Sequence, residues 1–232
     1  MTQQTALEYL QKDRILNMDM MECIVHQEAK IVQVCADGVL LSHPAAQVYM
    51  ISADSEETMR RLMSQIDHAQ EVVIHQEQFL PLVQEAFGLT EATVCHQAVY
   101  TGSTLLPEPE SSLTFRTLDE TYLSFLCENY TRGSRDYLSE RLQAGVMTGA
   151  FAGTEITAFM GMHAEGSMGL LEVLPQFRRR GIAQALEIHY LNTLLRQGRI
   201  PYGQIIVGNE ASIRLHEKLG FTFSKGTVTW VH

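Results

Sequence analysis

Hydrophobic positions along this chain recur with two periods, and the switches between them mark out its elements. From Ala6 to Met21 apolar residues fall at helical steps, so a helix is expected at the start. "GVLLSH" and "QVYMISA" are short runs of strand type. "SEETMRRLMSQI" returns to the helical period: Met59, Leu62, Met63 and Ile66 share a face, and Ser55 stands ahead of Glu56 and Glu57 in a capping pattern. "EVVIHQ" predicts a strand, "EQFLPLVQEAFG" a helix ended by Gly88, and "ATVCHQAVY" another strand. The first part therefore reads as a small α/β layer.

"TGSTLLPEPESS", Thr101 to Ser112, interrupts the pattern with two prolines and small polar residues, as a linker would. Beyond it comes a strand, "LTFRTL"; Asp119 then caps "ETYLSFLCENY", and a second helix, "SRDYLSERLQAG", ends at Gly145. "VMTGAFAG", "EITAFMGMH" and "MGLLEVL", the last two joined by the turn "AEGS", predict consecutive antiparallel strands. A helix from Arg180 to Arg196, stopped by Gly198, leads to a strand in "YGQIIVG", a helix in "NEASIRLHEKLG" and a closing strand in "KGTVTWVH". The expected class is mixed α/β, with an antiparallel front and a strand–helix–strand crossover behind it. The expected regions are 1–108 and 109–232.

Composition narrows the classes. With 45% hydrophobic residues over 232 positions, the chain has ample material for a core. A net charge of −10 argues against a general nucleic-acid binder, which needs a basic face. No apolar run approaches the roughly 20 residues of a membrane span, and "MTQQTALEYLQKDRIL" lacks a signal-peptide core. Cys23, Cys35, Cys95 and Cys127 form no C-x-x-C pair, which points to reduced thiols and a cytoplasmic location. His163, His189 and His216 have no regular spacing, so no metal is expected.

One segment inverts the overall charge. Between Pro175 and Ile200 five arginines (Arg178, Arg179, Arg180, Arg196 and Arg199) face a single acid, Glu187. Arg178-Arg179-Arg180-Gly181 joins the end of a strand to the start of a helix. Free N–H groups and about half a positive charge gather at a helix N-terminus, so phosphate oxygens settle there. Gly181 lets the backbone bend and lets an anion approach the amides. Neither G-x-x-x-x-G-K-[ST] nor G-x-G-x-x-G occurs, which sets aside P-loop and dinucleotide sites. A basic surface turn capping a core helix remains the plain alternative.

"VLPQFRRRGIA", Val173 to Ala183, resembles the V-x-P-x-x-R-x-x-G-x-[GA] signature of the GNAT acyl-CoA N-acyltransferases. "NEASIRLHEKLGF", which begins 26 residues after Ala183, is similar to that family's second signature, N-x-x-[AS]-x-x-L-Y-x-x-x-G-F. The resemblance covers about residues 113 to 232. Its nearest flavour is the glycine N-acyltransferase-like branch, whose members carry an extra N-terminal region. The first half is a candidate degenerate second copy of the fold, without R-x-x-G-x-A.

The resemblance implies a GNAT-like mixed sheet flanked by helices, and acetyl-CoA or another acyl-CoA as co-substrate. It implies that the diphosphate rests on Arg178, Arg179, Arg180, Gly181, Ile182 and Ala183. The pantetheine arm would run along the preceding strand, on the backbone of Leu171, Glu172 and Val173, in a gap where that strand splays from its neighbour. Asn209, itself a natural helix cap, would also bond the arm, with Ser212 beside it. Where the family has a tyrosine that protonates the leaving thiolate, this chain has His216, either a substitute acid or a residue of the helix face. The usual carboxylate base falls at Ser167; Glu165, two residues further out, is the preferred base, with a water relay through Ser167 as the variant, and Glu172 is expected on the opposite side of the strand. An α-amine of pKa near 7.8 costs about 1 kcal/mol to deprotonate at pH 7, against about 4.6 kcal/mol for a lysine side chain, so a small molecule or amino acid with a weakly basic amine is the easier acceptor. The rival readings are a non-catalytic acyl-CoA-binding sensor and an interaction module that docks an acidic partner on the basic turn.

Overall fold

The computed structural model describes residues 3–109 and 112–232. Two compact units result: residues up to Tyr100 together with Tyr202–His232, and Thr101–Pro201. Contiguous halves meeting at 108/109 were expected. The difference comes from the last two strands, which pair with strands of the first hundred residues.

The first unit begins with α1 (Gln3–Leu10) and α2 (Met18–Val25). The single helix expected over Ala6–Met21 is broken between them, because Asn17 turns its amide back onto the carbonyls of Leu10 and Asp13 while Asp13 accepts from Leu16 N–H. There follow β1 (Lys30–Cys35), β2 (Gly38–His43), β3 (Val48–Ala53), α3 (Glu56–Met63), β4 (Val72–Ile74), α4 (Leu80–Phe87) and β5 (Ala92–Val99). The strand β1 was not anticipated: it is an edge strand whose exposed Lys30 and Val32 blur the apolar alternation. Ser55 caps α3 by accepting from Thr58 N–H, and Gly88 closes α4 in the left-handed conformation. The chain returns to this unit with β10 (Tyr202–Ile206), α8 (Glu210–Lys218) and β11 (Thr222–Val231).

These strands form a seven-stranded sheet in the order β1-β2-β3-β4-β11-β5-β10. It is buried on both faces, so β2 reads as an unbroken apolar run: Val39 and Leu41 pack with α1 and α2, and Leu40 packs on the other side with Met59 and Leu62 of α3. One buried ion pair crosses this core, His75 Nε2 with Asp19 at 2.8 Å, and Gln204 supplies a further hydrogen bond to Asp19. Desolvation, the largest single influence, would lower the His75 pKa, but the charge and hydrogen bond of Asp19 together with the Ile51 carbonyl and Asp13 outweigh it and the pKa is raised.

The second unit holds β6 (Leu113–Thr117), α5 (Leu123–Asn129), α6 (Arg135–Gln143), β7 (Thr148–Ala152), β8 (Glu155–Met162), β9 (Met168–Val173) and α7 (Ile182–Arg196). Its sheet is an antiparallel meander, β6-β7-β8-β9. Leu126 and Leu138 from the two short helices pack with Phe151, Phe159 and Leu170 from the sheet.

The order of elements repeats. α1-α2-β1-β2-β3-α3-β4-α4-β5 recurs as α5-α6-β7-β8-β9-α7-β10-α8-β11. The last strands of the two runs interleave, since β11 lies between β4 and β5 while β10 pairs with the outer side of β5. In the first run β3 is closed off by a parallel ladder to β4, Tyr49–Ile51 against Val72–Ile74. Its counterpart β9 pairs only with β8 among the described residues, so one edge of β9 carries no ladder.

The expected linker is a strap over its described part, Glu110 and Ser111 lying outside the described residues. Asn192 of α7, buried at 1% exposure, accepts from Leu106 N–H at 2.8 Å and donates to Leu106 O at 2.9 Å. Replacing Asn192 with alanine strands both backbone groups and is expected to lower unfolding stability by about 2–3 kcal/mol in a denaturant melt.

Candidate active site

The β8–β9 hairpin brings together His163, Glu165 and Ser167 of the second unit. His163 N–H donates to Ser167 O at 2.8 Å, and the pairs Met162–Met168 and Gly161–Gly169 continue the ladder. His163 and Ser167 are therefore cross-strand neighbours whose side chains share one face. The Ser167 hydroxyl donates to Glu165 Oε1. Both are buried, Glu165 at 5% and Ser167 at 2% exposure, although an ordinary hairpin tip would leave such residues in water. The expected base and the residue expected to serve a water relay thus form one hydrogen-bonded unit.

From α6, Tyr137 Oη meets His163 Nδ1 at 2.7 Å. Burial, then the charge of Glu165, push the Tyr137 pKa well above the ordinary phenol value, with Arg141 opposing. The Tyr137–His163 contact joins α6 to the hairpin across a sequence separation of 26 residues, which no local motif signals.

A bulge then reverses the faces of β9. Gly161 pairs with Gly169 and Phe159 with Glu172, so Met160 alone opposes Leu170 and Leu171. Leu170 takes up the extra length with φ 54°, a conformation rare for a branched side chain. The register places Glu172 on the face of Gly169, Ser167 and His163, and not on the opposite one as strict alternation implied. Glu172 accordingly acts, after desolvation and Arg132, on the raised pKa of Tyr130 at the end of α5. Leu174 N–H points inward to Thr157 O at 3.0 Å. By alternation the N–H and C=O of Leu171 and Val173 point to the unpaired edge of β9.

The arginine-rich turn follows. Pro175–Phe177 make one tight helical turn, Arg179 takes φ 63°, and Gly181 takes φ 75° as the N-terminal flanking residue of α7. No side chain caps α7, so its first N–H groups have no such partner. A Cβ on Gly181 would meet nothing within 4 Å, which shows open space above the turn. The three arginines differ. Arg178 folds back on β9, donating from Nε to Val173 O at 3.0 Å and pairing with Glu172 at 2.8 Å. Arg180 stands over the Phe177 ring at 5.4 Å, and Arg179 and Arg180 are both exposed. Ile182 and Ala183 open the helix behind them.

Asn209, Ser212 and His216 lie in the first unit, on α8 and its cap, whereas the hairpin and the arginine-rich turn lie in the second. Asn209 Oδ1 accepts from Ser212 N–H at 3.3 Å, a helix cap. His216 is buried, edge-on to Phe221 at 4.6 Å, with Nδ1 at 2.9 Å from the Ser212 carbonyl. That contact holds the neutral ring proton on Nδ1, so donation from Nε2 to a thiolate requires the imidazolium.

Comparison with known proteins agrees with the fold. The family model described as FR47-like protein matches residues 145–231, from just before β7 to β11. No curated protein matches the chain by sequence. A solved structure of a Drosophila protein is 15% identical with a TM-score of 0.66, covering 100% of this chain and 96% of that one. A putative GNAT acetyltransferase from Novosphingobium aromaticivorans is 16% identical with a TM-score of 0.57, at 95% and 96% coverage. A GCN5-related N-acetyltransferase-like protein from Streptococcus suis is 14% identical with a TM-score of 0.57, at 98% and 99% coverage. The mixed α/β fold of this chain is that of GNAT acetyltransferases.

Proposed function

We propose that the protein transfers an acetyl or other short acyl group from acyl-CoA to the primary amine of a small molecule or amino acid. The observation that carries this reading is the continuity of β9 with the anion turn. A strand with one unladdered edge leads directly into an open, uncapped helix N-terminus flanked by exposed arginines. The diphosphate of CoA would rest on the amides from Arg179 to Ala183, and the pantetheine arm would bond to Leu171 and Val173 along the free edge. In the first run of elements the same edge of β3 is taken by β4, so the second run is the one able to receive the arm.

Glu165 would take the amine proton through the Ser167 hydroxyl, as the nitrogen attacks the thioester carbon and CoA leaves as thiol. A thiol of pKa about 8.5 leaves tolerably near neutrality, so acid help from His216 is optional. Among GNAT branches, the glycine N-acyltransferase-like one shares an extra N-terminal region with this chain.

Purified protein, acetyl-CoA and a panel of amines and amino acids are expected to release free thiol, read with a chromogenic disulfide, for at least one weakly basic amine. CoA affinity without thiol release from any acceptor would overturn the transfer reading in favour of a sensor.

A further inference from the structure

The geometry points to a further catalytic group: His163, held by Tyr137 with its proton on Nε2, donates that N–H to the thioester carbonyl oxygen as negative charge develops there. The inference rests on the acyl-transfer reading and assigns a residue to it that no motif marks.

Tyr137 Oη lies 2.7 Å from His163 Nδ1, the hydrogen bond that joins the two side chains. A protonated phenol is the stronger donor of the two and an imidazole nitrogen the stronger acceptor, so the phenol proton goes to Nδ1. Tyr137 stays protonated through the working range, since burial and Glu165 both oppose its ionisation. A neutral imidazole that accepts at Nδ1 carries its hydrogen on Nε2. The titratable and charged groups facing this pair are Glu165 from the hairpin turn, Arg141 on the same helix as Tyr137, and Tyr130 at the end of α5.

Nε2 lies against β9 at Gly169. A Cβ at position 169 would fall 2.5 Å from Nε2 and 2.7 Å from Cδ2, so only glycine admits the ring there. The next residue is Leu170, where the bulge begins. The donor therefore stands just beyond Leu171, where the thioester at the end of an arm laid from the turn over Val173 and Leu171 would come, and its cross-strand neighbour Ser167 leads to Glu165. Proton acceptor and oxyanion donor adjoin on one face, as attack on a carbonyl requires.

The step balances without a change of charge on His163. The amine nitrogen forms a bond to the carbonyl carbon, and the carbonyl π pair moves onto oxygen, where the Nε2–H bond strengthens. The pair then re-forms the carbonyl as the C–S bond breaks and its electrons leave on sulfur. The amine proton passes to Glu165 through Ser167, and the thiolate is protonated from solvent or from Glu165.

The test uses His163→Ala, His163→Gln and Tyr137→Phe in the full chain, with kcat, its pH profile, CoA affinity and thermal melting measured for each. His163→Ala is expected to lower kcat about 100-fold, in the range for loss of one oxyanion donor, with CoA affinity unchanged within about twofold. His163→Gln, whose amide N–H reaches the same region, should recover about tenfold of that loss, and Tyr137→Phe should lower kcat about tenfold by freeing the tautomer. The acid limb of the pH profile should stay in place in all three, because the base is elsewhere. Three results would overturn the assignment: His163→Ala retaining kcat, an acid limb displaced by loss of His163, or glutamine rescuing nothing while both His163 variants lose cooperative melting. Wild-type protein that fails to bind CoA would instead remove the acyl-transfer reading itself.

Discussion

Changing Glu165 to glutamine is expected to lower kcat/KM for amine acylation about 100-fold, while CoA affinity stays within about twofold. Glutamine keeps the size of the side chain and can still accept from the Ser167 hydroxyl, so the buried contact survives while the proton acceptor is lost. The magnitude follows from what a positioned base contributes, about 10² to 10⁴, taken at its lower end because a weakly basic amine is already largely neutral near pH 8. The loss should shrink as pH rises through the amine pKa, and at pH 9 the two proteins should differ by less than at pH 7. Ser167→Ala is the companion change. A relay through the hydroxyl requires it to reproduce most of the glutamine effect, whereas direct contact of Glu165 with the amine requires it to be nearly silent. Steady-state rates with one amine across pH 6.5–9 read both.

Reversing the charge of Arg179 and Arg180 together, each to glutamate, is expected to weaken CoA binding about 100-fold at 0.15 M salt. Each reversal replaces an attraction by a repulsion of about 1 kcal/mol at contact distance in water, and two reversals give about 4 kcal/mol before screening. Salt reduces this, so the loss should be larger at low ionic strength. Arg178 behaves differently in the structure, because Glu172 already compensates its charge and Val173 O holds its Nε. Isothermal titration at two salt concentrations checks both the size of the loss and its salt dependence.

The legibility of this chain depended on how local each signal is. Gly181 and the helix it opens were readable because turn, arginines and helical period lie within a few residues of one another. The β7–β8–β9 meander was readable for the same reason, since hairpins pair neighbours. The single opening helix was wrong because Asn17 and Asp13 break it through side-chain bonds that propensity does not show. The destination of β10 and β11 was hidden, since closing strands paired with β4 and β5 are joined by register across more than a hundred residues. The side of β9 on which Glu172 sits was misjudged because a bulge at Leu170 adds one residue, and one residue turns every later side chain over. Tyr137 with His163 was missed outright, because their contact exists only once α6 is folded against the hairpin. Glu165 and Ser167 each stand out in the sequence, but their burial and their hydrogen bond arise only when the hairpin closes.

The most direct measurement is calorimetric titration of CoA into the folded, full-length protein and into the Arg179→Glu, Arg180→Glu double variant under the same conditions. The account expects saturable heat at one site per chain in the wild type and a loss of about 100-fold in the variant. Absence of heat in the folded wild type, or equal affinity in both proteins, would contradict it.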